Sequence, residues 1–266
     1  MSRYPLGTSD EELERLRFQH EVWGPVTGAF LDRIGVQPGA RCLDLGCGPG
    51  FVALELAERV GEAGTVVALD ESPRWIAHVE REARERRVTN LRGLRSTVEA
   101  APLEPGSFDL VFARWVFSFL PDPAAVVRRL APALAPGGLL AVQDYNHEGI
   151  SLFPGSEGFR AVVRATRELY ARSRGDTWIA ARMPGIMRAA GLQVREVRPT
   201  VICGGPGSPA FRWAGAFFPH FSGKMLAEGL LSPAERERFL AEWAERERDP
   251  DALFFSPIVV DVLARR

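Results

Sequence analysis

Residues 41–50, Arg-Cys-Leu-Asp-Leu-Gly-Cys-Gly-Pro-Gly, hold the densest chemistry in the chain. Gly46, Gly48 and Gly50 alternate directly after the apolar run Cys42 to Leu45, and Phe51 to Ala57 resumes with helical spacing. A strand, a glycine turn and a helix in that order make a cradle. Main chain without side chains lets a ligand approach closely, and the first helical amides, lacking acceptors within the helix, point at it. Asp44, two residues ahead of the first glycine, selects the ligand's charge: it suits a cation such as an ammonium and repels a pyrophosphate. The dinucleotide pattern Gly-x-Gly-x-x-Gly, counted from Gly46, would place its third glycine at position 51, which is Phe51. A second acid fits the same picture. Thr65 to Asp70 reads as a buried parallel strand, and Asp70, with Glu71 behind it, falls about twenty residues past the glycines, where it can accept both hydroxyls of a ribose.

Other side chains with chemical potential are more scattered. Arg114 ends the strand Ser107 to Trp115, where an always-charged fork of donors could hold a carboxylate. His147 follows the strand Leu139 to Tyr145, and His220 lies in the aromatic stretch Phe211, Trp213, Phe217, Phe218 and Phe221. Both are candidates for a general base if an acceptor must lose a proton. His20 is a third candidate, and His78 reads as a surface residue of a charged helix. That aromatic stretch reads either as the core face of a helix or as the wall of an apolar pocket.

Asp44-Leu45-Gly46-Cys47-Gly48-Pro49-Gly50 resembles motif I of the class I S-adenosylmethionine-dependent methyltransferases. Ser107-Phe108-Asp109 and the turn Pro136-Gly137-Gly138 before an apolar strand are also similar to that family, so the likeness spans roughly residues 37 to 145. The resemblance implies S-adenosylmethionine as cofactor, with S-adenosylhomocysteine as product. It implies that Gly46, Gly48 and Gly50 hold the methionine end and that the residues after the third strand, Thr97 and Val98, meet the adenine. Thr97 departs from the acidic residue the family carries there, and a neutral hydroxyl accepts a weaker hydrogen bond than a carboxylate. Helices ahead of the first strand lie over cofactor and acceptor in similar proteins, which makes Tyr4, Gln19 and Trp23 candidate contacts. Metal chemistry is not indicated: Asp144, His147 and Glu148 are close in sequence but do not form the three-oxygen site of a catechol enzyme.

The elements that position these residues follow from pattern. Ser9 to Glu12 is a capping box opening a helix, Gly24-Pro25 interrupts it, and a second helix covers Val26 to Ile34. Strands follow at 65–70, 91–96, 107–115, 139–145, 193–203 and 254–263, with helices between them. The expected fold is a Rossmann-like α/β sheet of seven strands, the last antiparallel, with helices on both faces. Residues 1–36 form an N-terminal helical cap, 37–204 the cofactor-binding core, 205–251 a helical cap insertion, and 252–266 the last core strand. The formal net charge of −1 gives no electrostatic reason for nucleic acid or an anionic membrane as partner. The 3 cysteines, Cys42, Cys47 and Cys203, are too few for a disulfide framework. With no apolar leader and no spanning run, the expected compartment is the cytoplasm.

Methyl transfer to a small organic acceptor, through an O, N or C atom and with an apolar or aromatic body, is the expected function. A nicotinamide oxidoreductase and a protein that binds the cofactor without methylating remain alternatives.

Overall fold

Apolar runs bounded by glycine and proline become strands here, and amphipathic runs become the helices that cover them. The computed structural model describes residues 7–266; Tyr4 lies outside the described residues. Helix α1 (Asp10–Ile34) leads into β1 (Arg41–Leu45), α2 (Phe51–Val60), β2 (Thr65–Asp70), α3 (Pro73–Glu85), β3 (Leu91–Arg95), β4 (Phe108–Arg114), α4 (Pro123–Ala133) and β5 (Leu134–Asn146). The second half adds β6 (Ser151–Phe153), α5 (Glu157–Arg172), α6 (Ile179–Ala189), β7 (Gln193–Thr200), β8 (Cys203–Gly204), α7 (Pro209–Ala227), α8 (Pro233–Arg246), β9 (Leu253–Phe255) and β10 (Ile258–Arg265).

Seven strands form one sheet in the order β3-β2-β1-β4-β5-β10-β7. The first five are parallel, and β10 runs antiparallel to both β5 and β7. Strand order reverses between β1 and β4, and ligands of open α/β sheets bind beyond the carboxyl ends at that point.

Side-chain alternation decides which residues share a face. Leu43, Leu45, Val111, Ala113 and Val142 pack with α4 and α6, whereas Cys42, Leu110, Phe112 and Ala141 pack with α1, α2 and α3. By the same alternation Asp44, Arg114 and Gln143 face the second set of helices. There Thr27 of α1 donates to Gln143 Oε1 at 2.7 Å, and Gln143 Nε2 donates to Asp261 Oδ1 on β10 at 2.7 Å. Arg33 closes the row by pairing with Asp261 and Glu196.

A third core lies beyond the carboxyl ends of the strands, where α5, α7 and α8 pack around Phe159, Phe218, Phe239, Trp243 and Phe254. Ring pairs at centroid distances of 5.1–6.5 Å surround Phe159, an arrangement that adds to the burial of apolar area. Helix α7 also lies against α1, where Trp213 Nε1 donates to Gln19 Oε1 at 3.1 Å.

Several expectations need correction. Gly24-Pro25 does not interrupt α1, which continues as 25 residues with Pro25 inside it. Pro25 removes one hydrogen bond to the Glu21 carbonyl, but both residues are exposed, so water serves that carbonyl, while Trp23, Thr27, Phe30 and Leu31 anchor the opposite face. The stretch 193–203 divides into β7 and β8, and 254–263 divides into β9 and β10. Pro257 lacks an N–H for the ladder, and β9 pairs instead with β6 and β8 in a small second sheet. The turn at 135–138 sits inside the long strand β5 as an irregularity in its pairing with β4. His78 is buried beside Trp75 and Val79, with its Nδ1 2.6 Å from Arg81 Nη2, because the apolar stripe of α3 includes its position.

Candidate active site

The glycine loop between β1 and α2 takes left-handed dihedrals at each glycine, with φ of +65° at Gly46, +53° at Gly48 and +86° at Gly50. The three differ in what surrounds them. A Cβ on Gly46 would lie 2.6 Å from Val116 Cγ2, and one on Gly50 would lie 2.5 Å from Val79 Cγ2. A Cβ on Gly48 would meet no atom within 4 Å. Gly46 and Gly50 thus let the loop pack against the protein, and Gly48 borders open cavity. Asp70 fastens the loop from β2: its Oδ2 accepts from Gly48 N at 3.0 Å and its Oδ1 from Ser72 N at 2.8 Å. Its carboxylate is therefore oriented by two amides and keeps lone pairs for a diol.

Asp44 and Arg114 lie on neighbouring strands and on one face, and both line the cavity with Gly46, Gly48 and Asp70. Asp44 Oδ2 is buried without a hydrogen-bond partner. Burial pushes its carboxyl up to about 7; Arg114 opposes that shift and the nearby Asp70 adds to it. The folded chain thus holds the Asp44 proton more tightly than the unfolded chain does. That contribution to stability is complete below the ordinary carboxylate value of 3.8 and is lost as pH rises through about 7. Asp44→Asn is accordingly expected to raise the melting temperature of ligand-free protein above pH 7 and to flatten its decline between pH 4 and 7. A variant that melts lower than wild type at pH 8 would contradict this.

Arg114 forms no ion pair within 4 Å of a described carboxylate. Its Nη1 donates to Thr27 Oγ1 at 3.1 Å and lies 3.2 Å from His20 Nδ1, and its guanidinium sits 4.9 Å above the Trp115 ring. Burial lowers its pKa, with Asp44 acting in the opposite direction. Burial, followed by the charge of Arg114, lowers His20 to about 4, so its ring is neutral and its Nδ1 accepts from Arg114. His20 itself lines a separate shallow hollow with Phe51 and His78.

The remaining candidates divide by position. Gln19, Glu71, Thr97, Val98 and His147 line the same cavity as Asp44 and Asp70. Thr97 Oγ1 accepts from Ala100 N at 3.2 Å, so its hydroxyl already serves the turn. Gly50 does not line the cavity; it opens α2 as N-cap. His220 is exposed on α7 and also lies outside the cavity wall, which ends at Phe217 and Phe218. Trp213 joins those two in the wall, whereas Phe211 and Phe221 pack into the third core. The aromatic stretch is therefore both core and wall. Trp23 is fully buried, edge-on to Trp115 and Trp213 at 6.0 and 5.7 Å, and does not line the cavity.

His147 is buried and held by its main chain, its N donating to Thr177 O at 3.0 Å and its carbonyl accepting from Arg167 Nη2 at 2.6 Å. Burial and the Arg167 charge lower its ring to about 3, so it is a neutral, weak base. Among the described residues no group of three His, Cys, Asp or Glu side chains is placed to hold a metal ion.

Sequence pattern did not mark Arg15, Trp115, Phe119, Thr166 or Tyr170, all of which line the cavity. Thr166 and Tyr170 are four apart on the apolar stripe of α5, and two polar groups on such a stripe were the available signal. Arg15 is fastened to Glu12 through Nε at 2.8 Å and Nη2 at 2.7 Å, and to Gln19 through Nη1 at 3.0 Å.

A cofactor with a cationic amino acid at one end and a ribose in the middle fits these residues. The orphaned Asp44 oxygen could answer an ammonium and Arg114 a carboxylate, the open side of Gly48 leaves room for a chain, and Asp70 has lone pairs for a diol. Comparison with known proteins agrees. Residues 37–184 match the family model for a methyltransferase domain. The demethylmenaquinone methyltransferase of Lactococcus lactis subsp. lactis is 30% identical over 135 residues, 51% of this chain and 52% of that protein. The nocamycin O-methyltransferase of Saccharothrix syringae is 38% identical over 123 residues, 46% of this chain and 44% of that one. The chain thus spans about half the length of these curated relatives. The YcgJ protein of Bacillus subtilis superposes with a TM-score of 0.61 at 18% identity, covering 93% of this chain and 98% of that structure, a likeness of fold. The chain belongs to the class I S-adenosylmethionine-dependent methyltransferases.

Proposed function

We propose that this protein moves the methyl group of S-adenosylmethionine to a small organic acceptor with an apolar or aromatic body. One observation carries the reading. A single cavity has Asp44, the glycine loop and Asp70 at one end and the rings of Phe119, Tyr170, Trp213, Phe217 and Phe218 at the other. In this reading Asp44 holds the ammonium, Arg114 the carboxylate, Asp70 with Glu71 the ribose, and Val98 with Thr97 the adenine. Gln19 closes over them from α1. Bound there, the cofactor supplies a methyl group on a positive sulfur, already activated toward a nucleophile.

What the protein adds is position and dryness. Holding an acceptor in line with the methyl group is worth up to about 7–11 kcal/mol in well-oriented cases, and the aromatic wall excludes water. Among the described residues, 7–36 and 205–251 act as caps over the core that begins at 37, and β10 completes its sheet. No helix among the described residues is long and apolar enough to cross a membrane.

Calorimetric titration tests the reading: S-adenosylhomocysteine is expected to bind, and NAD is not. Uptake of NAD in its place would overturn it. Incorporation of labelled methyl into small molecules of a cell extract tests turnover. Asp70→Asn is expected to weaken S-adenosylhomocysteine by about 1.5–3 kcal/mol, the worth of hydrogen bonds to a charged group. The amide oxygen can still accept from one of the two amides, so the loop should survive. Unchanged affinity would remove Asp70 from the ribose.

A further inference from the structure

The cavity wall is partitioned by charge in a way that the cofactor alone does not explain. Its carboxylates among the described residues, Asp44, Asp70, Glu71 and Glu99, all belong to β1, to the end of β2 or to the segments following β2 and β3. The end formed by α5, α7 and the residues after β5 has none. Arg15 is the cation there, and its charge is met by the two oxygens of Glu12. What else is polar at that end among the described residues is neutral: Tyr145, His147, Thr166 and Tyr170. The Thr166 hydroxyl is already spent on Val162 O at 2.9 Å. No described residue hydrogen-bonds the Tyr170 hydroxyl, although the residue is only 4% exposed, and His147 Nδ1 is buried without a partner. The two rings meet at a centroid distance of 5.6 Å and an angle of 61°, and Phe119 stacks on Tyr170 at 4.9 Å.

An alkylamine acceptor is a cation before reaction and calls for a carboxylate beside it, since a buried unpaired charge is costly, and this end of the wall offers none; an arylamine is neutral but gives no oxyanion to which the Tyr170 phenol could donate. A flat ring would lie among Phe119, Trp213, Phe217 and Phe218, and a hydroxyl on it would find in Tyr170 a donor and in His147 a second neutral partner. Resting on the methyl-transfer reading above, we infer that the acceptor is a ring-bearing hydroxyl compound of the phenol or enol class, methylated on oxygen, with Tyr170 and His147 holding the reacting oxygen.

The protonation states support this assignment. Burial raises the Tyr170 phenol, so it is a donor at any working pH, and His147 at about 3 is a poor proton acceptor. The other titratable or charged groups near this pair are Asp144 on β5, Arg15 and Glu12 on α1, and Arg167 on α5. A hydroxyl acidic enough to ionise by itself is therefore favoured over an aliphatic alcohol. Its proton leaves to water, the oxyanion's electron pair forms the new C–O bond, and the S–CH3 bond breaks with its pair left on sulfur as a neutral thioether.

The test uses protein loaded with S-adenosylhomocysteine and matched triads of ring compounds that carry a hydroxyl, an amine or a hydrogen at one position. Methyl 4-hydroxybenzoate, methyl 4-aminobenzoate and methyl benzoate form one such triad, with binding read by tryptophan fluorescence. In at least one scaffold the hydroxyl member is expected to bind at least tenfold more tightly than the other two. Tyr170→Phe should reduce that preference about tenfold while leaving the hydrogen member's affinity unchanged, a split that a loss of folding would not produce. His147→Gln, which keeps a neutral donor and acceptor, should retain the preference better than His147→Leu. Absence of a hydroxyl preference in every scaffold, preference for the amine, or equal weakening of all three by Tyr170→Phe would overturn the inference. Failure of S-adenosylhomocysteine to bind at the outset would instead overturn the methyl-transfer reading.

Discussion

Gly48→Val is expected to abolish S-adenosylhomocysteine binding, at least a hundredfold in affinity, while the chain stays folded. The reason lies in the contrast among the loop glycines. A Cβ at 48, in the wall of the cavity where the cofactor's chain would run, has no protein atom within 4 Å, whereas Cβ atoms at 46 and 50 run into Val116 and Val79. A β-branched residue at φ +53° costs about 1–2 kcal/mol of backbone strain, a loss that a protein of this size tolerates. Far-UV circular dichroism and a thermal melt should therefore show a folded protein with a modestly lowered midpoint. Gly50→Val should instead lower the yield of folded protein. If Gly48→Val bound the product normally, the glycine loop would not be the cofactor's seat.

Arg114→Met separates binding from stability. The guanidinium is half-buried at the carboxyl end of β4, with no carboxylate within ion-pairing distance among the described residues, and it hydrogen-bonds only neutral groups, Thr27 and His20. Such a cation is costly for the empty protein, because the Asp44 charge offsets its desolvation only in part. Supplying a second opposite charge from a ligand carboxylate makes it useful. The variant should lose about 1.5–3 kcal/mol of S-adenosylhomocysteine affinity, roughly ten- to a hundredfold. Its ligand-free melting temperature should be unchanged or higher. Thr27 keeps its bond to Gln143 at 2.7 Å, and His20 borders the outer hollow where water can reach it. A variant that loses stability and keeps affinity would assign Arg114 to the fold.

The fate of the histidines illustrates what pattern can and cannot see. His147, His220, His20 and His78 were equivalent as letters in a sequence, each a ring able to titrate near neutrality. Folding makes them different: His147 becomes a buried neutral wall of the cavity, His20 a partner of Arg114, His78 part of the α3 packing, and His220 an exposed residue past the end of the wall. Only His78 carried a local signal, its place on the apolar stripe of α3; His20 depends on Arg114, ninety-four positions away, and His147 on the packing of α5.

Local chemistry was enough for the strand–loop–helix at 41–60, for Asp70 at the end of β2, and for the family. There, alternation of apolar residues, glycine spacing and an acid at a strand terminus act within a few residues of each other, so the chain announces them in order. The continuity of α1 through Pro25, the division of the last strands at Pro257, and the meeting of Thr166 and Tyr170 with His147 needed the folded molecule. Each is settled by contacts between segments distant in the chain: a buried stripe outweighs one missing hydrogen bond, a second sheet captures β9, and α5 carries its polar side chains across to the end of β5. The glycine loop and its two acids are written along the chain, whereas the aromatic end of the cavity exists only once α1, α5 and α7 have packed around it.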